Sequence, residues 1–210
     1  PIARTHPRNR LLLLHRLDLG AGNAPYHLYD GCEVAGFDLK VGTNSLATFN
    51  FEIINQGFST AEAAPTGATL GTASTTAPMD AFTGVVEEGG STIAVVTEFS
   101  LKVTNNLDRR FVIGSKDTLR PSEGRFVCTG EIGAYFESGA LYNKFINDTA
   151  SSLKVTLTEG ASTLEIFVPN IKYTGARLPV NDDGPIMLKM PFQAVYHAGS
   201  SCTLQLTRSA

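Results

Sequence analysis

The chain has 210 residues, of which 42% are hydrophobic and 18% are charged, and its formal net charge is −3. This length and hydrophobic fraction predict one domain with a substantial core and exclude a disordered chain. The charge balance lacks the basic excess of proteins that grip phosphates, so specific nucleic-acid binding is not expected. The low charged fraction favours a protein that buries much of its surface against partners.

The three cysteines, Cys32, Cys128 and Cys202, are widely spaced along the chain. Their odd number and spacing argue against a disulfide framework, and none belongs to a zinc-binding pair. No apolar stretch has the length that a membrane span requires. We therefore expect small buried thiols, no membrane partner, and synthesis in the cytoplasm.

The N-terminal segment, residues 1–25, is predicted to be an arm followed by a possible first strand. Residues 1–10 are basic and lack periodicity, whereas residues 11–19 suit a strand. Residues 26–210 are predicted to form the main domain.

From residue 31 onward the apolar residues recur with period two, which is typical of β-strands. A change of parity at Ala35-Gly36 predicts a β-bulge within residues 31–41. The pattern in residues 46–54 has an apolar and a polar face, formed by Phe49, Phe51 and Ile53 and by Thr48, Asn50 and Glu52, respectively.

A long segment poor in large apolar residues, residues 59–80, is predicted to be a disordered loop or an arm that becomes ordered on a neighbour. Residues 81–87 and 92–104 are predicted to pair as a hairpin around Glu88-Gly89-Gly90. A polar loop is expected from Asn105 to Gly124.

Residues 125–137 alternate strictly and predict another strand. A short helix follows, with Ser138 as N-cap and an apolar stripe of Leu141, Tyr142 and Phe145. Two further hairpins are expected, one joining residues 153–158 to 163–168 and the other joining residues 185–196 to 203–207. Pro169 and Pro179 are expected to break the chain between these hairpins. The total is eight to ten strands and one helix, as in a sandwich or a barrel.

Catalytic patterns are not found. The four histidines are scattered without metal-ligand spacing, and no GxSxG nucleophile elbow occurs. Glu131 and Glu137 share a strand face but are roughly 20 Å apart at ~3.3 Å per residue, too far for an acid/base pair. We therefore expect no enzyme activity, no metal and no cofactor.

A series of short motifs follows in order after residue 90. They are residues 96–107, which end in Asn105-Asn106-Leu107; Val112-Ile113-Gly114-Ser115; Glu123-Gly124-Arg125; Ala134-Tyr135-Phe136-Glu137; residues 140–145; residues 168–173; and Gly184-Pro185-Ile186-Met187 with Pro191-Phe192-Gln193-Ala194. In this order and spacing, residues 90–208 resemble the C-terminal part of bacteriophage tail tube proteins, the major tail proteins of long non-contractile tails. Residues 29–34 resemble an earlier strand of the same family.

The resemblance implies a mainly β fold, a tail-tube-type sandwich or partial barrel with one short helix and long loops or arms. It also implies that the chain forms hexameric or pseudo-hexameric rings that stack helically. The implied partners are other copies of the chain, the tape measure protein, and tail-tip and terminator proteins. Phage DNA would pass through the lumen without specific binding, in a virion tail assembled in the bacterial cytoplasm.

Five polar positions on the two cleanest alternating strands are predicted to face that lumen: Thr48, Asn50, Glu52, Thr129 and Glu131. Carboxylates on the channel wall would repel phosphates and let DNA slide. The alternative is a solvated outer face. Residues 1–14 and 59–80 are candidates for contacts between rings, with disorder as the alternative.

Other functions remain open from the sequence. The same architecture would serve in a contractile-tail tube, a gene transfer agent or a type VI secretion tube. A decoration or adaptor module would bind another virion protein without stacking. A carbohydrate-binding sandwich would need a polar or aromatic pocket, and the absence of tryptophan weakens that interpretation.

Overall fold

A computed structural model describes residues 11–17, 25–67, 72, 75–179 and 184–209. The predicted arm over residues 1–10 lies outside these described residues. Fourteen strands and one helix are found in the described part of the chain: β1 Leu11–Arg16, β2 Tyr26–Gly42, β3 Thr48–Ile54, β4 Gly57–Ala61, β5 Val85–Glu88, β6 Ser91–Thr92, β7 Val96–Thr104, β8 Asp108–Arg110, β9 Leu119–Ser122, β10 Val127–Tyr135, α1 Ala140–Ile146, β11 Ser151–Glu159, β12 Ser162–Tyr173, β13 Met187–Ala194 and β14 Gln205–Ser209. The predicted fold class, mainly β with one short helix, is confirmed.

The chain divides into two compact units, each assembled from several stretches of sequence. The first unit comprises Pro1–Gly36, Phe51–Thr75 and Asn105–Phe126. The second comprises Phe37–Asn50, Thr76–Thr104 and Val127–Ala210.

The second unit is built on a sheet in the order β2-β7-β10-β13-β12-β11-β5-β6, with β14 also paired to β12. Only the C-terminal part of β2 belongs to this unit. Strands β7 and β11, four places apart in this order, both line one apolar recess, so the sheet curls around its core. This curvature is what the predicted partial barrel requires.

The core of the second unit is formed by every second residue of its strands, because successive side chains of a strand point to opposite faces. These residues are almost fully buried: Leu39, Phe99, Leu101, Val103, Cys128, Ile132, Ala134, Leu153, Val155, Leu157, Ile166, Val168, Ile171, Leu188, Met190 and Phe192. At the centre, the rings of Phe99 and Phe192 stack with centroids 6.5 Å apart. Phe192 lies over Gly130, where a Cβ atom would collide with the Phe192 ring and with the Ser100 carbonyl.

The first unit contains a small antiparallel sheet in which the N-terminal part of β2 lies between β1 and β4. Tyr29 of β2 is opposite both Leu13 of β1 and Phe58 of β4. Strand β1 lies within residues 11–19, where the sequence predicted a possible first strand, and β4 occupies the start of the segment predicted to be a loop from residue 59.

The predicted hairpin around Glu88-Gly89-Gly90 is present but much shorter than residues 81–87 and 92–104. On this side, Glu87 and Glu88 of β5 pair with Thr92 and Ser91 of β6 around a tight turn at Gly89-Gly90, and their other partners are Lys154 and Leu153 of β11. Both glycines have positive φ, 60° and 79°, as the turn preferred between twisted strands requires. Strand β7 pairs instead with β2 and β10, where its apolar face is buried.

The predicted polar loop from Asn105 to Gly124 is also wrong, since it contains the β8–β9 hairpin. The N-cap position of the helix is Gly139, one residue after the predicted cap Ser138, and it makes no side-chain cap bond. The apolar stripe of α1 is half-buried. The short polar strands β8 and β9 have no strong strand signal in the sequence. The glycine N-cap of α1 likewise gives only a weak signal for the start of the helix.

Strand β12 continues through Pro169, which was predicted to break it. The register against β11 shifts at this point, from Leu153 opposite Val168 to Ser151 opposite Ile171. The proline sits in this bulge, where the ladder does not need an N–H donor.

Strand β14 pairs with β12 and not with β13 as predicted, so the connection after β13 crosses to another strand.

Candidate functional site

The side of the second-unit sheet that faces away from the core carries polar side chains. On β7, β10 and β13 the residues of this side, here called the polar face, are Glu98, Ser100, Lys102, Thr129, Glu131, Lys189, Pro191 and Gln193, of which all but Pro191 have polar side chains. They alternate with the buried core residues of the same strands, so the face follows directly from the period-two pattern.

Charges on the polar face are paired across strands. Glu98 of β7 and Lys189 of β13 are both opposite Gly133 of β10, and their side chains meet over it with an Oε1–Nζ distance of 2.7 Å. A Cβ atom on Gly133 would collide with the Glu98 side chain, so glycine leaves the space for this contact. The hydrogen bond from Lys189 to Glu98, and the negative charge of Glu98, raise the pKa of Lys189.

A second ion pair lies at the β2 side of the polar face. Lys102 Nζ is 4.0 Å from Asp38 Oδ1, and both side chains are substantially exposed. Thr129 is opposite Lys102, and Glu131 is opposite Ser100. The polar face therefore carries both acidic and basic groups. It is less acidic than the carboxylate-lined channel wall that the sequence predicted.

The five residues predicted to face a lumen occupy three positions in the structure. Thr129 and Glu131 are half-buried neighbours on the polar face of β10. Thr48 and Asn50 are exposed on β3 within the second unit, and Glu52 is exposed on the part of β3 that belongs to the first unit. The alternation that predicted these residues is real on β10. On β3 it is weaker, because Phe51 on the predicted apolar face is 59% exposed.

A buried carboxylate ties the helix to the sheet of the second unit. Glu88 is only 5% exposed, and Lys144 of α1 donates to its Oε2 atom at 2.5 Å. The Tyr173 hydroxyl donates to Glu88 Oε1 at 3.2 Å, and Lys144 also reaches Ser151 Oγ at 3.2 Å. Burial, reinforced by the Glu88 charge, raises the pKa of Tyr173 well above its usual range. The network satisfies the buried charge and is a structural anchor for α1.

The described residues do not form a cluster of metal-binding side chains. No group of three or more histidine, cysteine, aspartate or glutamate side chains within this part of the chain is placed to hold a metal ion. The three cysteines are free thiols, and burial raises the pKa of Cys128 to about 12, which makes its thiol inert near neutral pH. Across the same ranges, no helix has the length and apolar character needed to cross a membrane.

The sequence interpretation missed two surface features. The lysines of the polar face were not singled out, although Lys102 alternates with the apolar residues of β7. Val112 and Ile113 were noted only as part of a family motif, and Phe111 was not noted, although three consecutive large apolar residues inside a polar segment are a signal of a contact surface.

The curled sheet, with its buried apolar side and its charge-paired polar side, defines a mainly β protein. The phage tail tube protein family model matches residues 17–194, most of the chain, and the protein belongs to this family. A comparison with curated proteins finds no match.

Proposed function

We propose that the protein is the subunit of a phage tail tube, whose copies form rings that stack into a hollow conduit for DNA. The observation that carries this proposal is the family match over residues 17–194. The sheet supports it, because one side is committed to the subunit core and the other is free and polar.

In this proposal the polar face of β10, with Thr129 and Glu131, lines the channel together with Thr48, Asn50 and Glu52. Charge pairing supports passage without specific binding. The basic side chains Lys102 and Lys189 have carboxylate partners on the same side of the sheet, which weakens their attraction for phosphates.

The proposed partners are other copies of the chain, the tape measure protein that fills the lumen during assembly, and tail-tip and terminator proteins. The proposed location is the virion tail, after assembly in the host cytoplasm. Closure of the sheet through neighbouring subunits would remove the exposed strand edges that a single copy leaves open.

Electron microscopy of the purified, concentrated protein tests the proposal. We expect rings or hollow tubes with a channel wide enough for duplex DNA. Discrete monomers that persist after a tail-tip complex is added as a nucleator would refute self-assembly and favour a decoration or adaptor role.

A further inference from the structure

Two histidines of the first unit lie directly opposite each other on neighbouring strands. His15 of β1 is paired with His27 of β2, and their ring centroids are 6.2 Å apart. In the sequence these histidines are scattered, and it is the antiparallel pairing of β1 with β2 that brings them together. Neutral imidazole is the commonest metal ligand in proteins, so the pair is a candidate metal site.

The spacing of the two rings suits two ligands of one ion. Residues directly opposite on antiparallel strands have Cβ atoms about 4.5–5.5 Å apart and share one face of the sheet. Metal–nitrogen bonds of about 2.0–2.1 Å place the centroids of two ligating rings roughly 5–6 Å apart. The rings of His15 and His27 are T-shaped, with an interplanar angle of 82°. His15 is exposed, and rotation about its soft χ2 torsion can aim a nitrogen of each ring at one point.

His27 is the more fixed of the two rings. It is half-buried and packs in a T-shaped contact against Phe58 of β4, with centroids 5.4 Å apart. Phe58 in turn packs against Tyr29 of β2, with centroids 5.1 Å apart. A ligand that is already positioned loses little conformational entropy when it binds.

Both imidazoles are available to an ion. Within the part of the chain that the structure describes, neither ring makes a hydrogen bond or an ion pair, so no nitrogen is committed to a protein partner. The paired positions beside them on the same face of β1, β2 and β4 are Leu13, Tyr29, Phe58 and Thr60. None of these four side chains carries a positive charge that would repel a cation.

We propose that His15 and His27 bind a divalent transition-metal ion. A closed centre needs more ligands than this pair, and the described residues offer no group of three or more, so water completes the coordination shell. Two imidazoles without a carboxylate select a late first-row ion such as Ni²⁺ or Zn²⁺, and they exclude Mg²⁺ and Ca²⁺, which prefer oxygen ligands. The bound ion joins β1 to β2 and fastens the N-terminal strand to the small sheet. This site is independent of the proposed tube function.

Calorimetric titration of the tag-free protein with NiCl₂ tests the site. Cys202→Ser is the background, because it removes a thiol that is not fully buried and could itself bind the metal. We expect a single Ni²⁺ per chain, weaker binding of Co²⁺ and then of Mn²⁺, and no binding of Mg²⁺. His15→Ala and His27→Ala should each raise the Kd for Ni²⁺ by at least about tenfold, since each removes one of two protein ligands.

His197→Ala is the matched control. His197 lies after β13 in the second unit, where it is paired with Cys202, and its replacement should leave the Kd for Ni²⁺ unchanged. Absence of Ni²⁺ binding to the folded protein would overturn the proposal. Binding that survives His15→Ala, with the variant folded by circular dichroism, would also overturn it, because His15 is exposed and its loss should not unfold the chain.

Hydrogen exchange locates the bound ion without relying on a change in affinity. At free Ni²⁺ of about ten times the Kd, exchange of the β1 amides that are bonded to β2 should slow about tenfold, because the ion binds only when the two strands are paired. The His15→Ala variant should show no slowing at the same Ni²⁺ concentration. Unchanged β1 exchange in the unsubstituted protein, with Ni²⁺ bound, would place the ion elsewhere and refute the site.

Discussion

At the scale of single residues, two buried ionisable groups in the second unit have opposite roles. Cys128 is kept neutral by burial, whereas Glu88 is kept in the interior by Lys144, Tyr173 and the hydrogen bonds that they donate. The first contributes to stability without any polar partner, and the second is tolerated only because its partners are in place.

The raised pKa of Cys128 predicts a loss of stability in alkaline solution. The folded state retains the thiol proton up to a pH of about 12, whereas the unfolded thiol ionises near 9.0. The unfolded state then binds fewer protons, so the free energy of unfolding should fall with rising pH by about 1.4 kcal/mol per unit above pH 9.

Urea denaturation between pH 8 and pH 9.5 measures this slope, below pH 10.0, at which the unfolded Tyr173 hydroxyl is half-ionised and adds an effect of the same sign. The Cys128→Ala variant should be less stable at pH 8 but should show a clearly shallower decline. Identical slopes for the variant and the natural protein would assign the alkaline loss to other groups.

The Glu88 network predicts a large effect for a single substitution on α1. Lys144→Met leaves a buried carboxylate without its cation and should cost about 3 kcal/mol of unfolding free energy, measured by denaturant titration. The double variant Lys144→Met/Glu88→Gln should recover part of that loss, because the buried charge is then gone.

Lys154→Met is the matched control for this substitution. Lys154 makes a comparable ion pair with Glu87 at 2.6 Å, but the Glu87 side chain is 27% exposed, whereas that of Glu88 is 4% exposed. Its replacement should change stability little, because exposed pairs are screened by water and salt. Equal losses for Lys144→Met and Lys154→Met would show that burial of Glu88 is not the cause.

At the scale of elements, close packing at Gly130 predicts a second stability effect. Gly130→Ala would place a methyl group against the Phe192 ring and the Ser100 carbonyl, and should cost about 1–3 kcal/mol through overpacking. Gly42→Ala, where the nearest atom to a new Cβ is Ser45 Oγ at 3.4 Å, should be nearly neutral. Thermal unfolding of both variants compares them, and a neutral Gly130→Ala would mean that β7 and β13 can move apart freely.

The sequence predicted elements well where alternation was strict and less well where pairing depended on distant partners. Strand β10 and the β11–β12 hairpin carry clear local signals, a period-two pattern and a glycine turn at Gly160 with φ of 57°. The choice of β12 as the partner of β14, and of β10 as the partner of β7, depends on burial in three dimensions, which no local pattern encodes.

In the candidate site, too, the features set by local alternation could be predicted, whereas those set by the pairing of distant strands could not. Thr129 and Glu131 could be assigned to a polar face because every second residue of β10 is apolar. The pairing of Glu98 with Lys189 across Gly133 could not be predicted, because it depends on the register of three strands. The Phe111-Val112-Ile113 run lies between two short strands of little β-propensity, so the sequence favoured a loop there.

At the scale of the whole molecule, the charges of the polar face predict whether an assembled tube retains DNA. If this face lines the channel, Glu131→Lys should make assembled tubes retain duplex DNA at low salt and release it as salt is raised, because the added cations attract phosphates. Glu137→Lys makes the same charge change at an exposed position after β10 and is the control.

DNA co-sedimentation with purified tubes at several salt concentrations gives the readout. Retention by the Glu131 variant alone would support the channel assignment. Equal retention by both variants, or by neither, would place the polar face away from the channel and leave tube formation itself untouched.

The strand order sets the pace at which this fold is completed during synthesis. Strand β10 ends at Tyr135 and its partner β13 begins at Met187, about fifty residues later, which a ribosome adds in roughly 3–10 s. During that interval one edge of β10 has no intramolecular partner, and non-local pairing of this kind is intrinsically slow. Nascent chains on the same messenger RNA therefore carry unpaired β10 edges that can pair with one another. Translation rate and chaperone binding should consequently influence the yield of assembly-competent protein.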